Sequence, residues 1–324
     1  MTHAIRIYEH GGPEVMKWEA VEVGAPGEKE ARIRHTVVGL NYIDTYHRSG
    51  LYKLPLPTVI GREGAGVVEA IGAGVTGLKV GDRVAYGAAP IGSYAEARLI
   101  PADRLVKIPD NVTDQQAASI MLKGMTSQYL LRRTHPVVPG DIILCHAAAG
   151  GVGLILCQWA KHLGATVIGT VGNDDKVALA RANGCDHVIN YAKEDYVARV
   201  AEITGGKKCD VVYDAVGKDT FPSSLDCLKP MGMWVSFGQS SGLVPPFQVN
   251  LLQQKGSLFA TRPTTAHYFA KSADLAIAAA NLFSVLQNGS VRVEIGQTFP
   301  LKDAAEAHRA LEARRTSAAT VLIP

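Results

Sequence analysis

No part of this 324-residue sequence runs through the ~20 uninterrupted apolar residues that a bilayer crossing needs, so no membrane-spanning helix is expected. The opening residues, Met1-Thr2-His3-Ala4-Ile5-Arg6-Ile7-Tyr8, alternate polar and apolar as a half-buried strand does, and lack the apolar core of a secretory signal. A cytoplasmic location is the resulting expectation. Basic blocks are missing too: 33 Lys and Arg against 30 Asp and Glu, net +3, are scattered along the chain. Nothing in that distribution would follow a phosphate backbone, and Lys207-Lys208 and Arg132-Arg133 are too short to do so. Nucleic acid is therefore not an expected partner. The five cysteines, Cys145, Cys157, Cys185, Cys209 and Cys227, contain no C-x-x-C pair and no set of four closely spaced thiolates for a structural zinc. They read as reduced core thiols. The ten histidines show no ligand spacing either.

What the chain does have is length and 47% hydrophobic residues, enough for two cores. Its middle alternates short apolar runs with helical periodicity, the pattern of an α/β, doubly wound parallel sheet. Strands are expected at 141–146, 166–171, 187–190, 210–215 and 233–237. An amphipathic helix is expected over 154–164; between the first two strands Val152, Ile155, Leu156, Trp159 and Leu163 recur at helical spacing, and Gly164 ends the pattern. A second helix is expected from Asp174-Asp175 to Asn183-Gly184. The first ~120 residues read instead as short alternating strands with glycine and proline punctuation. Gly61, Gly64, Gly66, Gly72, Gly74, Gly77 and Gly81 suit the turns and bulges of a curled antiparallel sheet. After Arg262-Pro263, a helical stretch 266–287, a segment 291–299, a helix 302–314 and a strand 320–323 break the parallel pattern and are expected to return to the first domain. The expected division is 1–122, 123–262 and 263–324.

Ala147-Ala148-Ala149-Gly150-Gly151-Val152-Gly153 lies where the first parallel strand passes into its helix. Glycine there lets the backbone turn sharply and approach a pyrophosphate, and the helix start offers unpaired N–H groups and a positive dipole end. This is the expected dinucleotide turn, although Ala148 stands where G-x-G-x-x-G has its first glycine.

Gly61-Arg62-Glu63-Gly64-Ala65-Gly66-Val67-Val68, Gly81-Asp82-Arg83-Val84 and the 148–153 turn follow one another as in the medium-chain dehydrogenase/reductase superfamily, which the chain resembles along its whole length. That resemblance implies a Rossmann domain plus a GroES-like, β-rich catalytic domain. Within the superfamily, Asn41-Tyr42-Ile43-Asp44-Thr45-Tyr46, Arg48-Ser49-Gly50-Leu51-Tyr52, the segment from His146 to Gly153, and Val235-Ser236-Phe237-Gly238 resemble the zinc-independent quinone oxidoreductases of the bacterial and zeta-crystallin type. In the superfamily's zinc enzymes, a cysteine and a histidine hold the metal at the positions matched by Asn41 and Arg62. An amide and a guanidinium do not replace them, and Arg62 repels a cation. No metal is expected. Glu63 is expected to pair with Arg62 or a backbone donor.

Without a Lewis acid, alcohol oxidation loses its usual support, and electron-poor acceptors remain. A quinone, or an alkene conjugated to a carbonyl, accepts hydride or electrons from a reduced nicotinamide with hydrogen-bond assistance alone. The second parallel strand ends Thr170-Val171-Gly172-Asn173, without the acid that bonds the ribose hydroxyls in NAD enzymes. Gly172, Asn173 and Lys176 are instead suited to a 2′-phosphate, and by resemblance Tyr191 lines the adenosine pocket, so NADPH is the expected cofactor. Asp174 and Asp175 are read as helix N-terminal acids in preference to NAD-selecting ones. Gly150, Gly151, Val152 and Gly153 are the expected pyrophosphate contacts. For the nicotinamide end the resemblance points to Asn41, Tyr42, Thr45, Lys123, Thr126, Tyr129, Phe237, Gly238, Gln239, Ser240, Arg262 and Arg314. At Arg314, on a charged helix, a cofactor contact and a solvated face are both open.

The catalytic candidates are Asn41, which offers both a donor and an acceptor, and Tyr46 and Tyr52, whose phenols would stack on a quinone and donate to its oxygen. For the two tyrosines, aromatic packing is an equal alternative. The leading expectation is NADPH-dependent quinone reduction in the cleft between the domains; an enone or alkenal double-bond reductase shares every motif. An RNA-binding or structural role, to which zeta-crystallin relatives point, finds no basic groove here. The apolar segment 256–261 is an edge-strand candidate, and with the resemblance it implies a homodimer.

Overall fold

The structure is a computed structural model and describes residues 1–88, 90–313, 315–316 and 318–324. In chain order the elements begin β1 (Thr2–Ile7), β2 (Lys17–Val21), β3 (Glu30–Gly39), α1 (Tyr42–Ser49), β4 (Thr58–Val59), β5 (Glu63–Ile71), β6 (Arg83–Tyr86), β7 (Ala97–Pro101), β8 (Val106–Lys107) and α2 (Asp114–Tyr129). Next come β9 (Ile142–Cys145), α3 (Gly151–His162), β10 (Thr166–Val171), α4 (Asp175–Ala182), β11 (His187–Asn190), α5 (Tyr196–Ile203), β12 (Cys209–Asp214), α6 (Ser223–Asp226), β13 (Leu228–Ser236), α7 (Asn250–Gln254) and β14 (Phe259–Thr261). The remainder is α8 (Thr265–Tyr268), α9 (Ser272–Gln287), β15 (Ile295–Pro300), α10 (Ala304–Glu312) and β16 (Ala319–Ile323). The chain forms two compact units, one of Met1–Met125, Phe269–Gln287 and Val293–Pro324, the other of Thr126–Tyr268 and Asn288–Arg292.

The second unit is built on a six-stranded sheet in the order β11-β10-β9-β12-β13-β14, with every pair parallel. β9, β10 and β12 are buried almost throughout, as helix-covered parallel strands must be. Leu144, Ile168, Ile189, Val200, Val212 and Trp234 share one core. Strand order reverses at β9, between β10 and β12, and the crevice outside the carboxyl ends at such a reversal is where this architecture binds ligands. α3 begins at Gly151, earlier than the 154 expected, and buries Ile155, Leu156, Trp159 and Ala160. Lys161 closes it with favourable charge, and Gly164 takes φ 89° just beyond.

The departure from the glycine fingerprint has a packing explanation. Ala148 is fully buried, and a Cβ placed on Gly169 of β10 would lie 2.6 Å from the Ala148 methyl. The alanine is therefore accommodated by a glycine on the neighbouring strand. Gly153 has no such latitude: a Cβ there would meet Ala147 O at 2.4 Å and Ala148 O at 2.7 Å, so α3 sits against the turn only because residue 153 lacks a side chain.

Asp214, at the end of β12, is wholly buried and satisfied by donors rather than by a cation. Oδ1 accepts from Val216 N (2.8 Å) and Gly217 N (3.1 Å); Oδ2 accepts from Thr220 Oγ1 (2.8 Å), Ser224 Oγ (3.1 Å) and Trp234 Nε1 (3.1 Å). Because Ser224 gives its proton to Asp214, its oxygen accepts from His146 Nε2 (3.0 Å), and Nδ1 of the same ring accepts from Thr170 Oγ1 (2.9 Å). Burial lowers the His146 pKa, which keeps the ring neutral and this direction fixed.

In the first unit β15-β16-β3-β5-β6-β8 form a sheet, with β7 also paired to β3, and β2-β1-β4 form a smaller one. β15 and β16 run parallel; the other pairs are antiparallel. Gly74, Gly77 and Gly81 take positive φ in turns, whereas Gly64 and Gly66 lie within β5, at the β3 bulge between His35 and Val37. The stretch 266–287 is not one helix. It divides into α8 and α9 because Tyr268 stacks on Tyr129 of the second unit (centroids 4.4 Å apart) while buried Phe269 belongs to the first. The expected strand 233–237 begins at Leu228, and the expected helix 302–314 runs from Ala304 to Glu312 after a single 3-10 turn.

Asp214→Ala removes the shared acceptor of five donors, most of them buried, and is expected to destabilise the fold by about 3 kcal/mol or more, and Asp214→Asn by less. Urea denaturation followed by tryptophan fluorescence measures both.

Candidate functional site

In the second unit the expected dinucleotide residues gather at the carboxyl end of the sheet. Gly150 and Gly151 are exposed where α3 starts, with no side-chain cap and no acid in the first turn. The turn before them closes through Gly150 N to Ala147 O (2.8 Å) and is tied to β10 through Ala148 N to Thr170 O (3.0 Å). At the end of β10, Gly172 lies beneath Tyr191: a Cβ at 172 would come within 2.6 Å of the phenol oxygen. Asn173 turns the chain by accepting Lys176 N (3.1 Å), and the Lys176 side chain is exposed. Asp174 stands at the α4 N-cap position, but its carboxylate does not cap. It accepts from Asn190 Nδ2 (2.7 Å) and forms an ion pair with Lys193, which hold its pKa below the usual carboxylate value. The expected dipole role therefore fits Asp175, in the first turn, and not Asp174.

Further along the same edge, Phe237 N and Gly238 N donate to Asp214 O, and Ser240 N donates to Ala215 O. Arg262 clamps this loop: Nη1 reaches Ser236 O (2.9 Å) and Gly238 O (2.6 Å), and Nη2 reaches Gln239 Oε1 (3.1 Å). Gly238, Gln239 and Arg262 line a cavity of about 520 Å³ whose other walls include Trp234, Pro246 and Phe247. That wall followed from no motif. Thr126 and Tyr129, at the end of α2, are buried, and Tyr129 spends its ring face on Tyr268. Arg314 lies outside the described residues.

The first unit assembles the other group. β3 ends at Gly39, and α1 opens with Asn41 N donating to Asp44 Oδ2 (2.9 Å). The Asn41 amide donates to Glu63 Oε2 (2.7 Å) at the start of β5, and Leu122 N of α2 donates to Glu63 Oε1 (2.7 Å). Lys123 Nζ stands 3.6 Å from Glu63. A backbone donor thus meets Glu63 as expected, but its other partners are Asn41 and Lys123 rather than Arg62. The Arg62 charge acts on Asp44 and His47. Thr45 turns its hydroxyl onto Tyr42 O (2.7 Å). Tyr42, Tyr46 and Tyr52 form an edge-to-face series with centroids 5.4 Å apart at each step, Tyr42 being the exposed member.

Burial dominates the electrostatics here. Asp44 is raised to about 7, chiefly by desolvation, against the lowering effect of Asn41 N–H, the Tyr94 hydroxyl and Arg62. Glu63 is raised by desolvation and lowered by Lys123 and Asn41. A metal fits this set poorly: Asn41 and Glu63 are engaged with each other, Arg62 places a cation nearby, and among the described residues no three His, Cys, Asp or Glu converge as ligands. A dinucleotide fits the second unit, where an acid-free helix start, a side-chain-free Gly172 and an exposed Lys176 coincide.

Asp44 keeps a proton in the folded state that the unfolded chain releases near its ordinary value of 3.8, so the stability it confers is complete below that value and is lost as pH rises towards about 7. Asp44→Asn removes this titration. Its stability relative to the parent is expected to climb from about pH 4 to about pH 7 and then level off, as urea midpoints across that range would show.

The chain matches the alcohol dehydrogenase GroES-like domain over residues 27–110 and the zinc-binding dehydrogenase family over residues 151–277. It is 50% identical to a quinone oxidoreductase of Pseudomonas aeruginosa, with all of both chains covered. It is 47% identical to a 2-haloacrylate reductase of a Burkholderia species over 100% of this chain and 99% of that one. The crystal structure of Escherichia coli quinone oxidoreductase complexed with NADPH superposes with a TM-score of 0.96 at 47% identity, again over the full length of both. With a glycine turn opening α3, a GroES-like first unit and full-length identity at this level, the chain belongs to the quinone oxidoreductases of the medium-chain dehydrogenase/reductase superfamily.

Proposed function

We propose that this protein reduces quinones with NADPH and without zinc. The observation that carries the cofactor choice is the end of β10, where Lys176 is exposed beside Gly172 and Asn173 while Asp174 is already bound by Lys193 and Asn190. A 2′-phosphate meets a cation there, and the acid at position 174 is already paired. NADPH, when bound, supplies the reducing equivalents. Gly150 to Gly153 and the α3 dipole take the pyrophosphate, Tyr191 takes the adenosine, and the loop 237–240, held by Arg262, takes the nicotinamide end. Asn41, Tyr42, Thr45, Lys123, Thr126 and Tyr129 are the further residues that the family resemblance assigns to the nicotinamide. Asn41, oriented by Glu63, works at the reacting groups, and Tyr46 and Tyr52 form a wall for a planar acceptor.

Among the described residues the edge strand β14 pairs only with β13, and it exposes Phe259, which supports a homodimer joined along this edge. Five free, buried thiols suit a reducing, cytoplasmic setting. Among the described residues no helix is long and apolar enough to cross a membrane. The similarity to a 2-haloacrylate reductase favours a second reading, reduction of an alkene conjugated to a carbonyl or carboxyl group.

Chelator-treated protein is expected to oxidise NADPH on addition of p-benzoquinone, beyond the rate of a boiled control. Turnover of an enone to its saturated ketone, with none on the quinone, would replace this reading by the second. Lys176→Ala is expected to weaken NADPH binding about tenfold or more with little change for NADH; equal losses in a fluorescence titration would refute the phosphate contact.

A further inference from the structure

In the first unit a single line of hydrogen bonds runs from the end of α10 to Asn41. Glu312 holds Arg48 at two points, Nη2 to Oε1 (2.7 Å) and Nη1 to Oε2 (3.1 Å). Arg48, only 2% exposed, also reaches His308 Nδ1 through Nη1 (2.9 Å) and Gly11 O through Nε (3.1 Å). A guanidinium can only donate, so His308 Nδ1 accepts and the ring carries its proton on Nε2. That N–H faces Tyr94 Oη at 3.0 Å and donates to it, which leaves the phenol proton for Asp44 Oδ2 at 3.2 Å. The same Oδ2 accepts Asn41 N–H, and the Asn41 side chain in turn donates to Glu63.

Each link has one possible direction. Asp44 must be an acceptor at the inner end because both of its partners donate, and His308 must be neutral because Arg48 already occupies its second nitrogen. Burial and the Arg48 cation enforce the latter, holding His308 down to about 3. His308, Tyr94 and Asp44 are all fully buried, so no solvent replaces a missing link.

We propose that Tyr94 and His308 are positioning residues for Asn41, fixing the start of α1 through the ionised carboxylate of Asp44. The proposal rests on the reading that Asn41 works at the reacting end. Protonating Asp44 weakens both bonds at Oδ2 and loosens Asn41, so the chemical step slows as the medium becomes acidic. The groups that bear directly on Asp44 are Asn41 N–H, the Tyr94 hydroxyl between β6 and β7, Arg62 just before β5 and Glu63 at its start; Arg48 of α1 and His308 of α10 stand behind Tyr94. Tyr94 favours the ionised form by donating to it; Tyr94→Phe therefore makes Asp44 easier to protonate.

The test is the single-turnover rate of NADPH oxidation by p-benzoquinone, across roughly pH 5.5 to 8.5, in the full-length protein. Tyr94→Phe is expected to move the acid limb upward by about half a pH unit or more and to slow the plateau several-fold, with NADPH affinity unchanged. His308→Leu should behave alike. His308→Gln, which keeps one acceptor and one donor, should restore the parental limb, and this pair carries the test if Tyr94→Phe does not fold. Lower melting temperatures with parental limbs and plateaus in Tyr94→Phe and His308→Leu would overturn the proposal and leave the reading of Asn41 intact. Parental rates in Asn41→Ala would overturn both.

Discussion

Three carboxylates, Asp44, Glu63 and Asp214, are removed completely from water, and the architecture of both units depends on how they are satisfied. Burying a charge costs several kcal/mol unless fixed donors replace its hydration, on the order of the whole net stability of a domain. Asp214 has five donors and no cation, so its charge is spread over the 215–217 turn, α6 and β13. Glu63 draws α1 and α2 onto β5 through Asn41 and Leu122 N. Each carboxylate gathers segments that are distant in sequence at the place where ligand-facing backbone must be held still.

The two ends of the proposed cofactor site are made by different physical means. Around β10 and β11 the site is defined by what has been taken away: Gly172 has no side chain, and Asp174 is neutralised by Lys193 before any ligand arrives. Around β13 it is defined by what is held in place. Arg262 directs its guanidinium at the carbonyls of Ser236 and Gly238, so its contribution there is the shape of a loop. Lysine, with a single compact ammonium, would not span those acceptors and Gln239 together.

The sequence disclosed most where local pattern and packing coincide. The glycine turn was legible because an apolar strand precedes it and an amphipathic helix follows, and the structure adds only that Gly169 makes room for Ala148. The division of 266–287 was hidden because Tyr268 and Phe269 are adjacent aromatics in one helical pattern, and only the structure shows the first half-buried against Tyr129 and the second buried in the first unit. For Glu63 the sequence offered Arg62 or a backbone donor; the backbone donor is Leu122 N, and the Asn41 amide, 22 residues earlier at the start of α1, was not foreseen. The His308–Tyr94–Asp44 line carried no sequence signal at all, because its members are far apart and of ordinary type.

The route of the chain also sets an order of events during synthesis. β3 lies between β16 and β5 in the larger sheet, with Val321 paired to Gly39. All six strands of the parallel sheet leave the ribosome before β15 and β16 do. A nascent chain can therefore complete the second unit's sheet while the first still shows an open strand edge beside β3, the kind of edge that recruits other strands. Contacts of such long sequence separation form slowly, and β16, made after all the strands of the parallel sheet, is the strand that closes that edge.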